Sequence, residues 1–268
     1  MKLGGKNFMG VEERLYDPLE LSKSVESLVT RASKGVVERK YFRFRGGRWY
    51  GGIASADVIG CNLRCRFCWA WYFRDRHDLG FFLSPEEVFK RLNEIAFKRG
   101  YKYLRLTGGE PTIAREHLLE ILKLSETSGF VFIVETNGIL LGADPTYAKE
   151  LSRFSNIYVR VSFKGTNPQE FTKLTGATPR GFELQVQALR NLLNYGLVPG
   201  RDFGVAAMVG FSSDENIARF VTTLSSIDDR LATDVDWEYV LTYPHVMKLL
   251  SRYNLKPIRT YRPEDVNE

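Results

Sequence analysis

The sequence predicts an α/β fold built on a parallel sheet, and three observations predict it. Strand-like and helix-like segments alternate with few interruptions. The strand segments recur at roughly 30–45 residue intervals, which leaves room for a helical crossover each time. A 268-residue chain that is 44% apolar can bury a sizeable core without disulfide staples. Such alternation gives right-handed βαβ units, and six strands suit either an open doubly wound sheet or a partial barrel. No Gly-x-Gly-x-x-Gly follows the first strand, which argues against a dinucleotide fold.

The elements follow in order. Residues 18–34 read as an amphipathic helix, with Leu19, Leu21, Val25, Leu28 and Val29 on one stripe. Residues 41–44 and 49–59 read as strands flanking Gly46-Gly47. Ser84-Pro85-Glu86-Glu87 supplies an N-cap, a proline at the first helical position and a capping-box Glu, so a helix runs to 99 and ends at Gly100. Strands are expected at 101–107, 130–135, 157–163, 203–209 and 235–241. Between and after them come helices at 113–128, from Asp144-Pro145, from Asn167-Pro168, at 181–195, at 214–227 and from about 245. Residues 256–268, with two prolines and many charges, are expected to form a loose tail. The division that results is an N-terminal helix and basic hairpin extension (1–48), a core (49–250) and a C-terminal tail (251–268).

Composition excludes collagen-like, disordered and disulfide-scaffold classes. No run approaches the ~18 apolar residues of a membrane span, and residues 1–10 carry no apolar signal core. A soluble, cytoplasmic protein is the expectation. Lys plus Arg exceed Asp plus Glu by six, which favours acidic partners. Residues 39–50 interleave basic and aromatic side chains. They read either as a basic-edged hairpin or as a stacking surface for single-stranded nucleic acid such as tRNA.

All three cysteines, Cys61, Cys65 and Cys68, fall within eight residues. An odd number so closely spaced is no disulfide framework. The loop follows a strand end, the functional edge of a parallel α/β fold. Three thiolates this close can hold a cubane and leave one iron without a protein ligand, whereas four-cysteine sites close every position and suit electron transfer alone. The alternatives are a structural zinc with His77 as fourth ligand, or buried thiols with no metal.

Cys-x3-Cys-x2-Cys with Phe67 before the last cysteine resembles the radical S-adenosylmethionine (SAM) superfamily. Thr107-Gly108-Gly109-Glu110-Pro111, after the second parallel strand, is similar to that family's Gly-Gly-Glu motif. The resemblance covers residues 50–245. It implies a partial (β/α)6 barrel of the TIM type, a [4Fe–4S] cluster on Cys61, Cys65 and Cys68, and SAM chelating the fourth iron. It further implies reductive cleavage of SAM to a 5′-deoxyadenosyl radical that abstracts hydrogen from a substrate. In this reading Gly108 and Gly109 let the backbone approach the methionine moiety, Glu110 meets its ammonium and Phe67 packs on the adenine.

Side-chain alternation on 158–164 puts Arg160, Ser162 and Lys164 on one face and Val159, Val161 and Phe163 on the other. The same device repeats with Asp234, Asp236 and Glu238 against Val235, Trp237 and Tyr239. A core lined by charge is a cofactor and substrate cavity more readily than a packed interior. Within the superfamily, Glu135-Thr136-Asn137-Gly138 and Ser162-Phe163-Lys164-Gly165 resemble glycyl-radical activating enzymes such as that of pyruvate formate-lyase. That resemblance assigns Lys164 to the SAM carboxylate and Glu135 and Asn137 to its polar groups. Ser162 stands where those relatives carry an acid, and Arg160 is a candidate to replace a cation there. His245, just after the last strand, either contacts ligand or caps a helix.

With no cysteine outside the loop, a compact single-cluster enzyme is expected. Its substrate would be a polar small molecule or tRNA, or else a glycine in a partner enzyme for an activase. A non-enzymatic electron carrier or cluster-binding regulator is the third possibility. Ferredoxin or flavodoxin is the implied electron donor.

Overall fold

The computed structural model describes residues 14–265. Residues 1–13 of the N-terminal extension, including the 1–10 segment, and 266–268 of the tail lie outside the described residues. Helix α1 (Pro18–Val29) is capped by the Asp17 side chain, which accepts from the Leu19 amide. It stops five residues short of the predicted end. Instead β1 (Thr30–Ser33) and β2 (Val36–Gly47) form an antiparallel hairpin. Lys34 and Gly35 turn it with φ of 49° and 81°, the left-handed pair that a two-residue hairpin turn requires.

Strand β3 (Ile53–Val58) pairs antiparallel with β2. The expected hairpin is present, but Gly46 and Gly47 sit inside the ladder opposite Ala54 and Ile53, and the chain reverses over 48–52. Glycine at 46 serves close packing rather than turning: a Cβ there would stand 3.0 Å from the side chains of Arg99 and Tyr101. Helix α2 (Trp71–Arg74) and β4 (Phe81–Leu83), which pairs with β2, lead into α3 (Pro85–Arg99). This helix has the predicted capping box, Ser84 accepting from the Glu87 amide and Glu87 from the Ser84 amide, and it ends at Gly100.

The alternation then proceeds through β5 (Tyr103–Gly108), α4 (Arg115–Ser125), β6 (Val131–Thr136), α5 (Ile139–Ala143), α6 (Pro145–Leu151), β7 (Ile157–Phe163), α7 (Pro168–Thr175), α8 (Arg180–Asn194), β8 (Phe203–Met208), α9 (Asp214–Ser225), α10 (Asp229–Thr233) and β9 (Asp236–Glu238). The sheet runs β1-β2-β3-β5-β6-β7-β8-β9, and every neighbouring pair from β3 to β9 is parallel. Among the described residues nothing pairs β9 back to the β1–β2 edge. The fold is therefore the expected α/β partial barrel, with an N-terminal helix and hairpin.

Val159, Val161 and Phe163 are fully buried in the main core, which leaves the other face of β7 to the interior. Strand β9 is shorter than predicted, because the chain shifts into β10 (Val240–Leu241). Trp237 and Tyr239 also line the cavity instead of facing away from it. After α11 (Pro244–Arg252), β11 (Thr260–Tyr261) pairs parallel with β10, so part of the expected loose tail is held. Two further bonds, Ile258 N to Gly210 O and Arg259 N to Gly210 O, anchor it. No helix among the described residues is long and apolar enough to cross a membrane.

Candidate active site

The strand ends open onto one cavity of about 1290 Å³. The twelve residues singled out from sequence all line it: Cys61, Cys65, Phe67 and Cys68 after β3, Gly108, Gly109 and Glu110 at the end of β5, Glu135 and Asn137 around the end of β6, and Arg160, Ser162 and Lys164 on and after β7. Sequence reasoning did not name as site residues Arg43 and Arg45 of β2, Arg105 and Thr107 of β5, Asp236 and Glu238 of β9, or the aromatic rim of Trp49, Tyr50, Trp69 and Tyr72. The alternation around β9 signalled Asp236 and Glu238.

The cysteine loop is pinned from several sides. Tyr16 Oη accepts from the Arg64 amide at 2.7 Å, the Arg66 amide donates to Leu174 O at 2.8 Å, and Arg74 donates to Cys65 O at 3.0 Å. Cys61 Sγ accepts from the Leu63 amide at 3.4 Å and from Asn137 Nδ2 at 3.9 Å. Asn137 Nδ2 also donates to Asn62 Oδ1 at 2.6 Å, which ties the β6 loop to the cysteine loop. Burial, helped by Glu110, pushes the Cys61 thiol up to about 11; burial pushes Cys65 up to about 12, against the opposing pull of Lys164. Phe67 lies 5.7 Å from the Phe211 ring.

Gly109 packs against the chain's own backbone. Its amide donates to Val58 O at 2.9 Å and the Glu110 amide donates to Gly60 O at 2.8 Å. A Cβ at 109 would fall 2.1 Å from Gly60 O. Within the protein, the close approach that the glycine permits is to the cysteine loop. A Cβ at Gly108 would meet Phe73 and Asp57. Glu110 is almost fully buried: Oε1 accepts from Thr112 N, Thr112 Oγ1 and Thr136 Oγ1, and Oε2 from Asn137 N. A carboxylate accepts about four bonds shared over two oxygens, so Oε1 is full and Oε2 keeps capacity. Beneath it, buried Arg39 donates to Ile59 O and Glu110 O, clamping the two loops together.

A charged network fills the interior face. Glu135 accepts from Arg105 at 2.9 Å and Thr107 at 2.6 Å; burial works against its charge, but Arg105 and Arg160 outweigh this and its pKa falls. Arg160 pairs with Asp236 at 2.5 Å and Glu238 at 2.9 Å, so its charge is engaged by the carboxylates of β9. Ser162 donates to Glu238 and accepts from Lys164. Lys164 Nζ lies 3.4 Å from Glu238 Oε2. Burial favours neutral Glu238, yet Lys164 and Arg160 bring its pKa down to about 2. The acid missing at 162 is therefore supplied from β9.

Residues 39–45 form part of β2, as the hairpin reading expected, with Arg39 and Tyr41 fully buried and Arg43 and Arg45 on the cavity. His245 caps no helix end; its Nε2 lies 3.0 Å from Trp69 O. His77 is not among the cavity-lining residues, and among the described residues no three His, Cys, Asp or Glu converge tightly enough for a single ion. The zinc alternative has no fourth ligand there. A cubane spreads its thiolates over several irons and does not need that convergence.

The family model described as the radical SAM superfamily matches residues 58–224. The chain belongs to the radical SAM superfamily. It is 33% identical over 157 residues to a probable GTP 3′,8-cyclase of Thermococcus kodakarensis, covering 58% of this chain and 47% of that one. To the GTP 3′,8-cyclase of Peptoclostridium acidaminophilum it is 30% identical over 207 residues, covering 75% and 57%. The chain spans about half the length of the curated relatives it matches. Neither of these two is an activase, the subgroup whose pattern the sequence resembled. Among solved structures, SuiB of Streptococcus suis bound to S-adenosylmethionine superposes with a TM-score of 0.52 at 16% identity, covering 77% of this chain and 46% of that one. HydG, a maturase of [FeFe]-hydrogenase, gives 0.53 at 13% identity, covering 88% and 53%. At these identities the likeness is one of fold.

As a radical SAM enzyme the protein uses a [4Fe–4S] cluster and SAM. The site's donor set fits them: three thiols on one pinned loop, amide donors on Cys61 Sγ, and an ammonium on Lys164 that interacts with Cys65. This membership removes the electron-carrier and regulator alternatives.

Proposed function

We propose that this radical SAM enzyme abstracts hydrogen from a small anionic substrate of the nucleotide class, bound between the cysteine loop and the arginine-lined wall. One observation carries the reading: the cavity surface presents six cations, Arg43, Arg45, Arg74, Arg105, Arg160 and Lys164, and four carboxylates, Glu110, Glu135, Asp236 and Glu238, while Asp57 and Asp75, which pair with Arg43, Arg45 and Arg74, are not among its lining residues. An aromatic rim stands beside that surplus, and an anionic heteroaromatic molecule meets both features. The cyclase names of the relatives point to the same class.

Cys61, Cys65 and Cys68 would hold three irons, and Asn137 would donate to the Cys61 sulfur. Lys164, oriented by Glu238 and Ser162, would meet the SAM carboxylate, and the open acceptor of Glu110 Oε2 would meet its ammonium. Phe67 and Glu135 would line the nucleoside end. When bound and reduced, the cofactors supply one-electron cleavage of SAM and hence hydrogen abstraction from carbon. The protein orients the reactants and keeps water from them. A reductant is required, and ferredoxin or flavodoxin suits the basic balance of the chain.

The test is anaerobic reconstitution with iron and sulfide, reduction, and measurement of 5′-deoxyadenosine with deuterated nucleotides such as GTP. Deuterium entering 5′-deoxyadenosine from a nucleotide is the expected result. Cleavage of SAM with deuterium arriving only from a partner-protein glycine or from tRNA would replace this substrate class. No cleavage at all would end the reading.

A further inference from the structure

We propose that Arg43 and Arg45, held together on the buried carboxylate of Asp57, form a clamp for a phosphoryl group at the cavity mouth. The inference rests on the anionic-substrate reading above and locates the anion.

The antiparallel register sets Arg43 directly opposite Asp57 and Arg45 opposite Ser55, two positions along on the same face. Arg43 Nε lies 2.6 Å from Asp57 Oδ2; Arg45 reaches the same carboxylate through Nε at 3.2 Å and Nη2 at 3.3 Å. The Asp57 side chain is fully buried, whereas that of Arg43 is 49% exposed and that of Arg45 is 23% exposed. One bidentate arginine neutralises a carboxylate, so the second leaves a whole positive charge over. The two terminal nitrogens of Arg43 and Nη1 of Arg45 donate to no other group among the described residues. They face a cavity that both arginines line.

Anchoring at Nε fixes the plane of each guanidinium before any ligand arrives, and a pre-oriented fork loses less freedom when it binds an oxyanion. The pair is also close to the chemistry. Arg45 lies over the Trp69 ring at 5.7 Å, and Trp69 directly follows Cys68. A phosphoryl group held here would leave the rest of a nucleotide reaching from the rim toward the cysteine loop.

The experiment titrates inorganic pyrophosphate, with malonate as a carboxylate arm, into the reconstituted enzyme with SAM at 150 mM salt, read by calorimetry. Arg43→Gln and Arg45→Gln are compared with Arg31→Gln, which removes the same charge from an exposed pair with Glu38 on the outer hairpin. Because either change loosens the partner of a buried acid, Asp57→Asn with Arg43→Gln removes both members together. The clamp predicts at least tenfold weaker pyrophosphate binding in the Arg43, Arg45 and paired variants, and no change in Arg31→Gln. Equal affinity in those variants, or equal loss in Arg31→Gln, overturns it. Tighter binding of malonate than of pyrophosphate overturns the phosphoryl assignment. A wild-type enzyme that cleaves SAM but binds no pyrophosphate overturns the clamp alone; one that cleaves no SAM overturns the function beneath it.

Discussion

Gly109 separates two explanations of the same motif. If glycine is needed to let cofactor approach, an alanine there weakens SAM binding and leaves the cluster loop intact. If it is needed because the loop packs on Gly60, the alanine breaks the loop itself. The distances favour the second. The added Cβ would lie 2.1 Å from Gly60 O and 2.8 Å from Val58 O, both backbone atoms that cannot rotate away. Ordinary contact lies near ~3.5 Å, so the loops must part by more than ~1 Å. That stretches the bonds from Gly109 N to Val58 O and from Glu110 N to Gly60 O, now 2.9 and 2.8 Å, beyond hydrogen-bonding range. Two buried backbone groups left unpaired cost about 1–3 kcal/mol each, and overpacking adds about 1–3 kcal/mol. A loss near 4 kcal/mol is a large part of the roughly 5–15 kcal/mol a domain holds, and at ~2–4 °C per kcal/mol it lowers the melting midpoint by about 10 °C. The assay is anaerobic calorimetry of Gly109→Ala together with iron content after reconstitution, both without SAM. A variant that melts with wild-type protein and loads a full cluster, losing only SAM affinity, refutes the packing argument.

Three other outcomes are expected. Cys65→Ser, like Cys61→Ser and Cys68→Ser, yields protein without a four-iron spectrum, and chelating the iron from wild type abolishes SAM cleavage until iron and sulfide are restored. Glu110→Gln puts an amide where four donors, Thr112 N, Thr112 Oγ1, Thr136 Oγ1 and Asn137 N, converge, and costs about 3 kcal/mol in urea unfolding; an unchanged midpoint sinks the structural role of those bonds. His117, bonded to Tyr41 Oη and Val37 O, has its pKa lowered from 6.5 to about 4 by burial, so it folds neutral. The unfolded chain takes up the proton first as pH falls, so stability is full above 6.5 and declines by about 3 kcal/mol as pH drops toward 4. Urea titrations should show that slope in wild type and a flatter one in His117→Gln.

Much of this molecule was legible because local rules agreed with the fold. The Ser84–Glu87 capping box and Gly100 bound α3 correctly, and alternation along β7 placed Val159, Val161 and Phe163 in the core and Arg160 and Ser162 on the cavity. The misreadings were of glycine and of chain length. Val25 and Val29 continue a helical stripe that Thr30 abandons, because Lys34-Gly35 makes a hairpin cheaper than another helical turn. Gly46-Gly47 looks like a turn but is paired strand, since what Gly46 accommodates lies 53 and 55 residues away, at Arg99 and Tyr101.

The role of Glu238 was hidden for a reason that lies in the strand between. Ser162 stands opposite Ala206, and Ala206 opposite Asp236, so any contact from β7 to β9 must cross β8. It can do so because the residues of β8 in line with Arg160 and Ser162 are Gly204 and Ala206, whose side chains are absent or a single methyl. The space over Gly204 holds the Tyr158 hydroxyl, while Arg160 reaches Asp236 and Glu238 and Lys164 meets Glu238 across the strand. A larger residue at 206 would fill that passage and separate the carboxylate from the ammonium it orients. Small residues in a strand read as neutral filler, yet here they decide which charges meet. Where Ser162 stands in place of an acid, the carboxylate it meets comes from two strands over, and the single methyl of Ala206 on the strand between leaves room for that contact.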